Sequence, residues 1–217
     1  MNDKTASAKS DQILDVAEEL FALYGYDGVT MRQIASQADV DVALASYYFG
    51  KKLDLFYTVF NRRAEVLSKW RRAALIEKQA KADGKPQTLE EIIEAFLLPL
   101  KIAQESGESG WRNYLALLAY VLTSPVWNKI LMPSVFDKRV AEFLDALRAI
   151  FPEAEEHKLH WCYQYMSGSM ALIMAQTGRI DRISDGLCQA SDFDAAYRHM
   201  VPFLAAGFRT VCGPESR

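Results

Sequence analysis

Apolar residues recur along almost the whole chain at spacings of three and four, the period of a helix that buries one face. Ile13, Val16, Ala17, Leu20, Phe21 and Tyr24 make the first such stripe, and Gly25 stands where a C-cap glycine would end it. A second start follows at Thr30-Met31-Arg32-Gln33. This is a capping box, in which the Thr hydroxyl and the Gln side chain satisfy each other's orphan amides. Ile34, Ala35 and Ala38 then face inward, and Asp39-Val40 makes a short turn. Asp41 can cap a brief third helix ending at Tyr48, and a fourth is predicted from near Gly50 to Ala82.

The second half reads the same way. Thr88-Leu89-Glu90-Glu91 is another capping box, followed by Ile92, Ile93, Phe96, Leu97 and Leu100, with Pro99 expected to kink that helix. Breaks are expected at Gly84-Lys85-Pro86, Ser106 to Gly110, Ser124-Pro125, Phe151-Pro152 and from Gly178 to Asp192. Phe151-Pro152-Glu153 also reads as a helix start, with Pro in the first turn. The last helix, opened by Asp192, is apolar on more than one face, as a helix buried on both sides would be. No segment sustains period-two alternation, so an all-α chain of about nine helices and no strands is predicted.

Composition changes this picture little. Half of the 217 residues are apolar, which suffices for a core. The longest clean apolar run, Tyr114 to Leu122, is far short of the roughly 18–20 residues that cross a bilayer. No basic-then-apolar leader pattern is read at the N-terminus, so a cytoplasmic protein with no membrane partner is expected. Cys162, Cys188 and Cys212 form no CxxC pair and are expected to be buried thiols. His157 and His160, with Glu153 and Glu156 nearby, are a conceivable metal set, although an exposed charged helix start explains them equally well. No cofactor motif, nucleophile elbow, phosphate loop or HExxH is present, so no cofactor and no enzymatic activity are expected.

Charge is uneven. The net is −3 overall, residues 1–60 hold five Lys/Arg against nine Asp/Glu, and residues 61–81 hold seven against two. Two short helices joined by a tight turn on an apolar first helix describe a helix-turn-helix, the second short helix being the candidate reader of a major groove. Such a head, itself acidic, has to hold DNA through a few placed cations and amides rather than a general positive field. Arg62, Arg63, Arg71 and Arg72 on the long fourth helix read as a solvated face.

Thr30-Met31-Arg32-Gln33-Ile34-Ala35, Ala38-Asp39-Val40 and Tyr47-Tyr48-Phe49-Gly50-Lys51-Lys52-Leu53 together resemble the TetR family of bacterial regulators over residues 10–56. Two departures stand out. Asp39 replaces the family's usual turn glycine, a change Asp tolerates because it enters the left-handed region more readily than most residues. Ser46 replaces a usual Tyr, whose role Tyr47 can take. The resemblance implies a three-helix DNA-binding head over 1–56 and a helical effector-binding and dimerisation body over 57–217. It implies Thr30, Arg32, Tyr47, Lys51 and Lys52 on phosphates, and Val42, Ala43, Ser46 and again Tyr47 on base edges. It further implies a repressor of operator DNA, a homodimer built through the last two helices, and release by a small apolar effector. Trp111, Tyr114, Leu118, Phe136, Tyr165 and Met170 are the expected pocket residues. The stretch from Gly178 to Cys212 is more loosely similar to the fatty-acid-responsive members, which points to an acyl-type effector. The competing readings are a helical enzyme or ligand-binding protein that uses the same cavity without DNA, and a helical adaptor that binds only protein.

Overall fold

The computed structural model describes residues 3–81 and 87–214. They form eleven α-helices: α1 Asp3–Tyr24, α2 Met31–Gln37, α3 Val42–Phe49, α4 Lys52–Lys81, α5 Leu89–Glu105, α6 Ser109–Thr123, α7 Pro125–Val135, α8 Asp137–Ile150, α9 Glu156–Met174, α10 Arg179–Ile183 and α11 Phe193–Cys212. No strand occurs among the described residues. The expected break at Gly84-Lys85-Pro86 and the expected helix end at Ala82 lie outside them.

Both capping boxes form. Thr30 accepts from the Gln33 amide at 3.2 Å while Gln33 Oε1 accepts from the Thr30 amide at 2.8 Å, and Thr88 and Glu91 repeat the exchange. The Asp41 carboxylate caps α3 by accepting from the Ala43 amide at 2.7 Å. Asp39 takes φ +49, so the turn glycine of the resemblance is replaced by a residue that pays a modest backbone cost. Gly25 ends α1 at φ +67, its amide bonded to Phe21 O, and a Cβ there would meet the Tyr120 ring at 3.0 Å.

The helix count corrects the expectation of about nine. Ser124 caps a new helix and Pro125 occupies its first turn, so that break starts α7. Within the stretch read as a break from Gly178, left-handed Gly178 opens the short α10. Pro152 does not begin a helix: Ala154 N bonds back to Phe151 O in a turn, and α9 starts only at Glu156. Pro99 lies within α5, which continues through it.

One core runs from head to body. Ile13, Ala17, Phe21, Ile34, Ala45, Leu55 and Phe56 knit the first four helices together. α6 packs on α1 and on α9, α4 packs along α5, and α11 lies against α5 and α9. Cys162 and Cys212 meet across α9 and α11 with Sγ atoms 3.7 Å apart as free thiols, and burial pushes the Cys162 thiol up to about 12. Cys188, expected to be buried, is exposed.

Candidate functional site

The head presents α3 edge-on. Ala45 is fully buried and Leu44 half-buried, while Val42, Ala43, Ser46 and Tyr47 are exposed. Positions 42, 43, 46 and 47 are neighbours on one helical face, since residues three and four apart lie side by side. Tyr47 is 83% exposed, its ring edge-on to that of Tyr48. The Tyr48 and Phe49 rings pack against the core. Thr30, Arg32 and Lys51 are exposed at the flanks of the α2–α3 unit, and the Lys51 amide is held by Asp54 Oδ2 at 3.0 Å. Lys52 departs from its expected role. Its ammonium donates to Tyr26 O at 3.0 Å and Val29 O at 2.9 Å and sits 4.0 Å from the Tyr26 ring centroid. Two of its three donors thus tie down the loop between α1 and α2, and it braces the head from within.

In the body, a small internal cavity with about 20 Å³ of room for a water-sized sphere is walled by Leu118, Phe136 and Met170 from the expected set, joined by Arg71, Phe96 and Met174. Leu122, Met132, Val140, Tyr163 and Ser167 wall both this cavity and an open cleft of about 510 Å³. Three expected pocket residues lie elsewhere. Tyr165 is 61% exposed and stacks on exposed Trp161, because its position on α9 faces away from the core. Trp111 packs on Trp70, ring centroids 4.8 Å apart, and under Arg63. Tyr114 is wholly buried behind the cavity, and its hydroxyl has no hydrogen-bond partner. Arg71, expected in solvent, is 9% exposed. His157 and His160 border an open surface hollow, His160 Nδ1 lies 2.8 Å from Glu156 O, and among the described residues no three His, Cys, Asp or Glu side chains are placed to hold a metal.

Two family models cover most of the chain: "Bacterial regulatory proteins, tetR family" over residues 13–59, and "Tetracyclin repressor-like, C-terminal domain" over residues 94–207. The chain belongs to the TetR family of DNA-binding transcriptional regulators. An HTH-type transcriptional regulator from the dhlA 5′ region of Xanthobacter autotrophicus is 48% identical over 48 residues, 22% of this chain and 24% of that protein. The match therefore spans about a quarter of that relative. Among solved structures, a TetR-like regulator from Rhodococcus sp. RHA1 superposes with a TM-score of 0.60 at 18% identity, over 95% of this chain and 97% of that one. The fatty acid degradation regulator FadR from Bacillus halodurans does so with a TM-score of 0.61 at 17% identity, over 93% and 96%. No single helix among the described residues is long and apolar enough to cross a membrane.

What joins the TetR head to its body was not legible as such in the sequence. Glu18 on α1 is 1% exposed, and Arg63 Nε donates to its two carboxylate oxygens at 3.2 and 3.1 Å. Arg62 reaches Glu18 at 3.2 Å and Asp15 at 2.7 Å. Arg62 and Arg63, read as part of a solvated face, are therefore clamps between α1 and α4. Burial holds the Glu18 carboxyl above its ordinary value even though both guanidinium groups pull it down. α6 closes the same junction: Gly110 abuts Arg63, and the Tyr120 hydroxyl accepts from the Tyr26 amide at 3.4 Å. The one signal for Glu18 was its place beside the apolar stripe, four residues after Leu14 and three before Phe21.

Proposed function

We propose that this TetR protein is a cytoplasmic repressor that binds operator DNA as a homodimer and is released by a small apolar effector. The observation that carries the reading is the face of α3, where Val42, Ala43, Ser46 and Tyr47 stand exposed together above buried Ala45. Val42 and Ala43 suit a thymine methyl, Ser46 donates or accepts at a base edge, and Tyr47, Thr30, Arg32 and Lys51 fix register on phosphates. Residues 1–56 form the reading head in this account and 57–217 the effector-binding and dimerising body.

One short helix reads few bases, so a two-fold pair is needed to span two half-sites. α9 exposes Trp161, Tyr165 and Leu172, and α11 exposes Phe203 and Val211. These large apolar side chains on the last two long helices support pairing through α9 and α11. Two elements then span from cavity to head. α4 carries Arg71 at the cavity and Phe56 in the head core, and α6 carries Leu118 at the cavity and Tyr120 at the junction. An effector that binds better to the arrangement with misaligned heads draws the population there and empties the operator. The structural neighbour from Bacillus halodurans is a fatty acid degradation regulator, which supports an acyl-type effector.

The test is a mobility-shift assay on promoter fragments from the protein's own and neighbouring genes, run at several salt concentrations. A specific complex whose affinity falls steeply with salt is expected. A chain that shifts none of these fragments, or shifts all DNA equally, is not this regulator.

A further inference from the structure

Arg71 is nine-tenths buried at the middle of the body, and its Nε has no hydrogen-bond partner. It makes no ion pair among the described residues. Its guanidinium lies instead over aromatic faces, 4.3 Å from the Phe96 ring centroid and 5.5 Å from that of Phe136. Ring faces recover part of the lost hydration of a cation, but they leave the buried Nε–H without a conventional acceptor. Burial pulls the Arg71 pKa down, the direction expected of a charge taken out of water without an anion.

The neighbouring unpaired groups are donors too. The Tyr114 hydroxyl is wholly buried without a partner and feels the charge of Arg71. The Tyr163 and Tyr197 phenols also feel it, and Gln104, which accepts from the Tyr197 hydroxyl at 3.4 Å, has an unpartnered buried amide nitrogen. Among the described residues no carboxylate acts on the Arg71 guanidinium, whose titratable neighbours are the Tyr114, Tyr163 and Tyr197 phenols. Arg71 also walls the inner cavity, and that cavity shares five side chains with the open cleft. The inner room alone holds about one water, whereas the cleft is within the size range of small-molecule sites. Met132 walls both cavity and cleft, Met170 and Met174 wall the cavity, and such side chains re-pack readily around a guest.

We propose that the effector is an apolar monocarboxylate, its carboxylate paired with the Arg71 guanidinium, its hydrocarbon end on Leu118, Leu122, Met132 and Met170 towards the cleft. This rests on reading the cavity as the effector site. A guanidinium fork matches a carboxylate in plane and spacing. The inner cavity's lining supplies a single cation and is otherwise almost wholly apolar, which suits one negative charge on a greasy body and leaves the second charge of a phosphate unmet.

The full-length protein is titrated calorimetrically with decanoate and 4-phenylbutyrate, and with the matched alcohols decanol and 4-phenylbutanol. At least one acid is expected to bind at least tenfold more tightly than its alcohol. Arg71→Met is expected to erase that preference and Arg71→Lys to keep part of it. Because Arg71→Met removes an unpaired buried charge, its ligand-free melting temperature is expected to rise, which shows that lost binding is not lost folding. Equal affinity for acid and alcohol, an acid preference that survives Arg71→Met, or no binding by either acid overturns the proposal. Operator binding by the unsubstituted chain is measured alongside. Failure there removes the regulator reading and leaves Arg71-dependent acid binding standing, whereas intact operator binding without acid preference removes only the monocarboxylate.

Discussion

Tyr47 is the residue on which the reading face can be judged most cleanly. With 83% of its surface open and its ring edge-on to Tyr48, its removal costs the fold little. Tyr47→Ala is expected to weaken specific operator binding about tenfold, with an unchanged melting temperature, both read on the same preparation. Asp39 makes the opposite kind of test. At φ +49 its Cβ is crowded, so Asp39→Gly is expected to stabilise the head by about 0.5–1 kcal/mol in denaturant titrations. Both residues were legible in the sequence, because turn chemistry and helical face are local properties. Lys52 was not. Whether an ammonium faces phosphate or the carbonyls of Tyr26 and Val29 depends on a loop more than twenty residues away.

At the scale of elements, the local grammar of caps and stripes located α1 to α6 closely, since Thr30, Asp41, Thr88 and the turn before α6 act through hydrogen bonds over two to four residues. It miscounted the later helices, where Ser124-Pro125 and Gly178 look like punctuation but open helices. It also misplaced Tyr165 and, on α4, Arg62, Arg63 and Arg71. A long helix with mixed faces does not declare which side meets a neighbour: Arg63 is half-buried because α1 and α6 arrive beside it, and Arg71 is buried because Phe96 of α5 and Phe136 do. The clamp between α1 and α4 gives a direct check. Arg63→Ala leaves Glu18 buried with Arg62 as its ion-pair partner and is expected to destabilise the chain by about 3 kcal/mol in equilibrium unfolding.

For the whole molecule, two outcomes bear on assembly and on pH. Phe203 is 72% exposed on α11, and Phe203→Glu is expected to turn a dimer into a monomer in sedimentation and to abolish high-affinity operator binding. Glu18 has a folded pKa above its ordinary value of 4.5, chiefly through burial, so the folded chain binds that proton more tightly than the unfolded one. Its stabilising contribution is full below about 4.5 and is lost as pH rises through the raised value. Glu90, Glu156 and Asp194 act in the other sense: each is held low by a hydrogen bond from Arg209, Arg148 or Lys101, and their help disappears in acid. The melting temperature of Glu18→Gln is therefore expected to vary less than wild type as pH climbs above 4.5, with the acid-side loss unchanged.

Gly110 has a bearing on how such a protein could be tuned by inheritance. A methyl group there would run into the guanidinium of Arg63 and crowd the Glu18 carboxylate behind it. One added carbon would thus pry at the junction of α1, α4 and α6 from inside, and the regulator's resting bias could drift in a lineage whose α3-face and cavity-lining residues had all stayed the same.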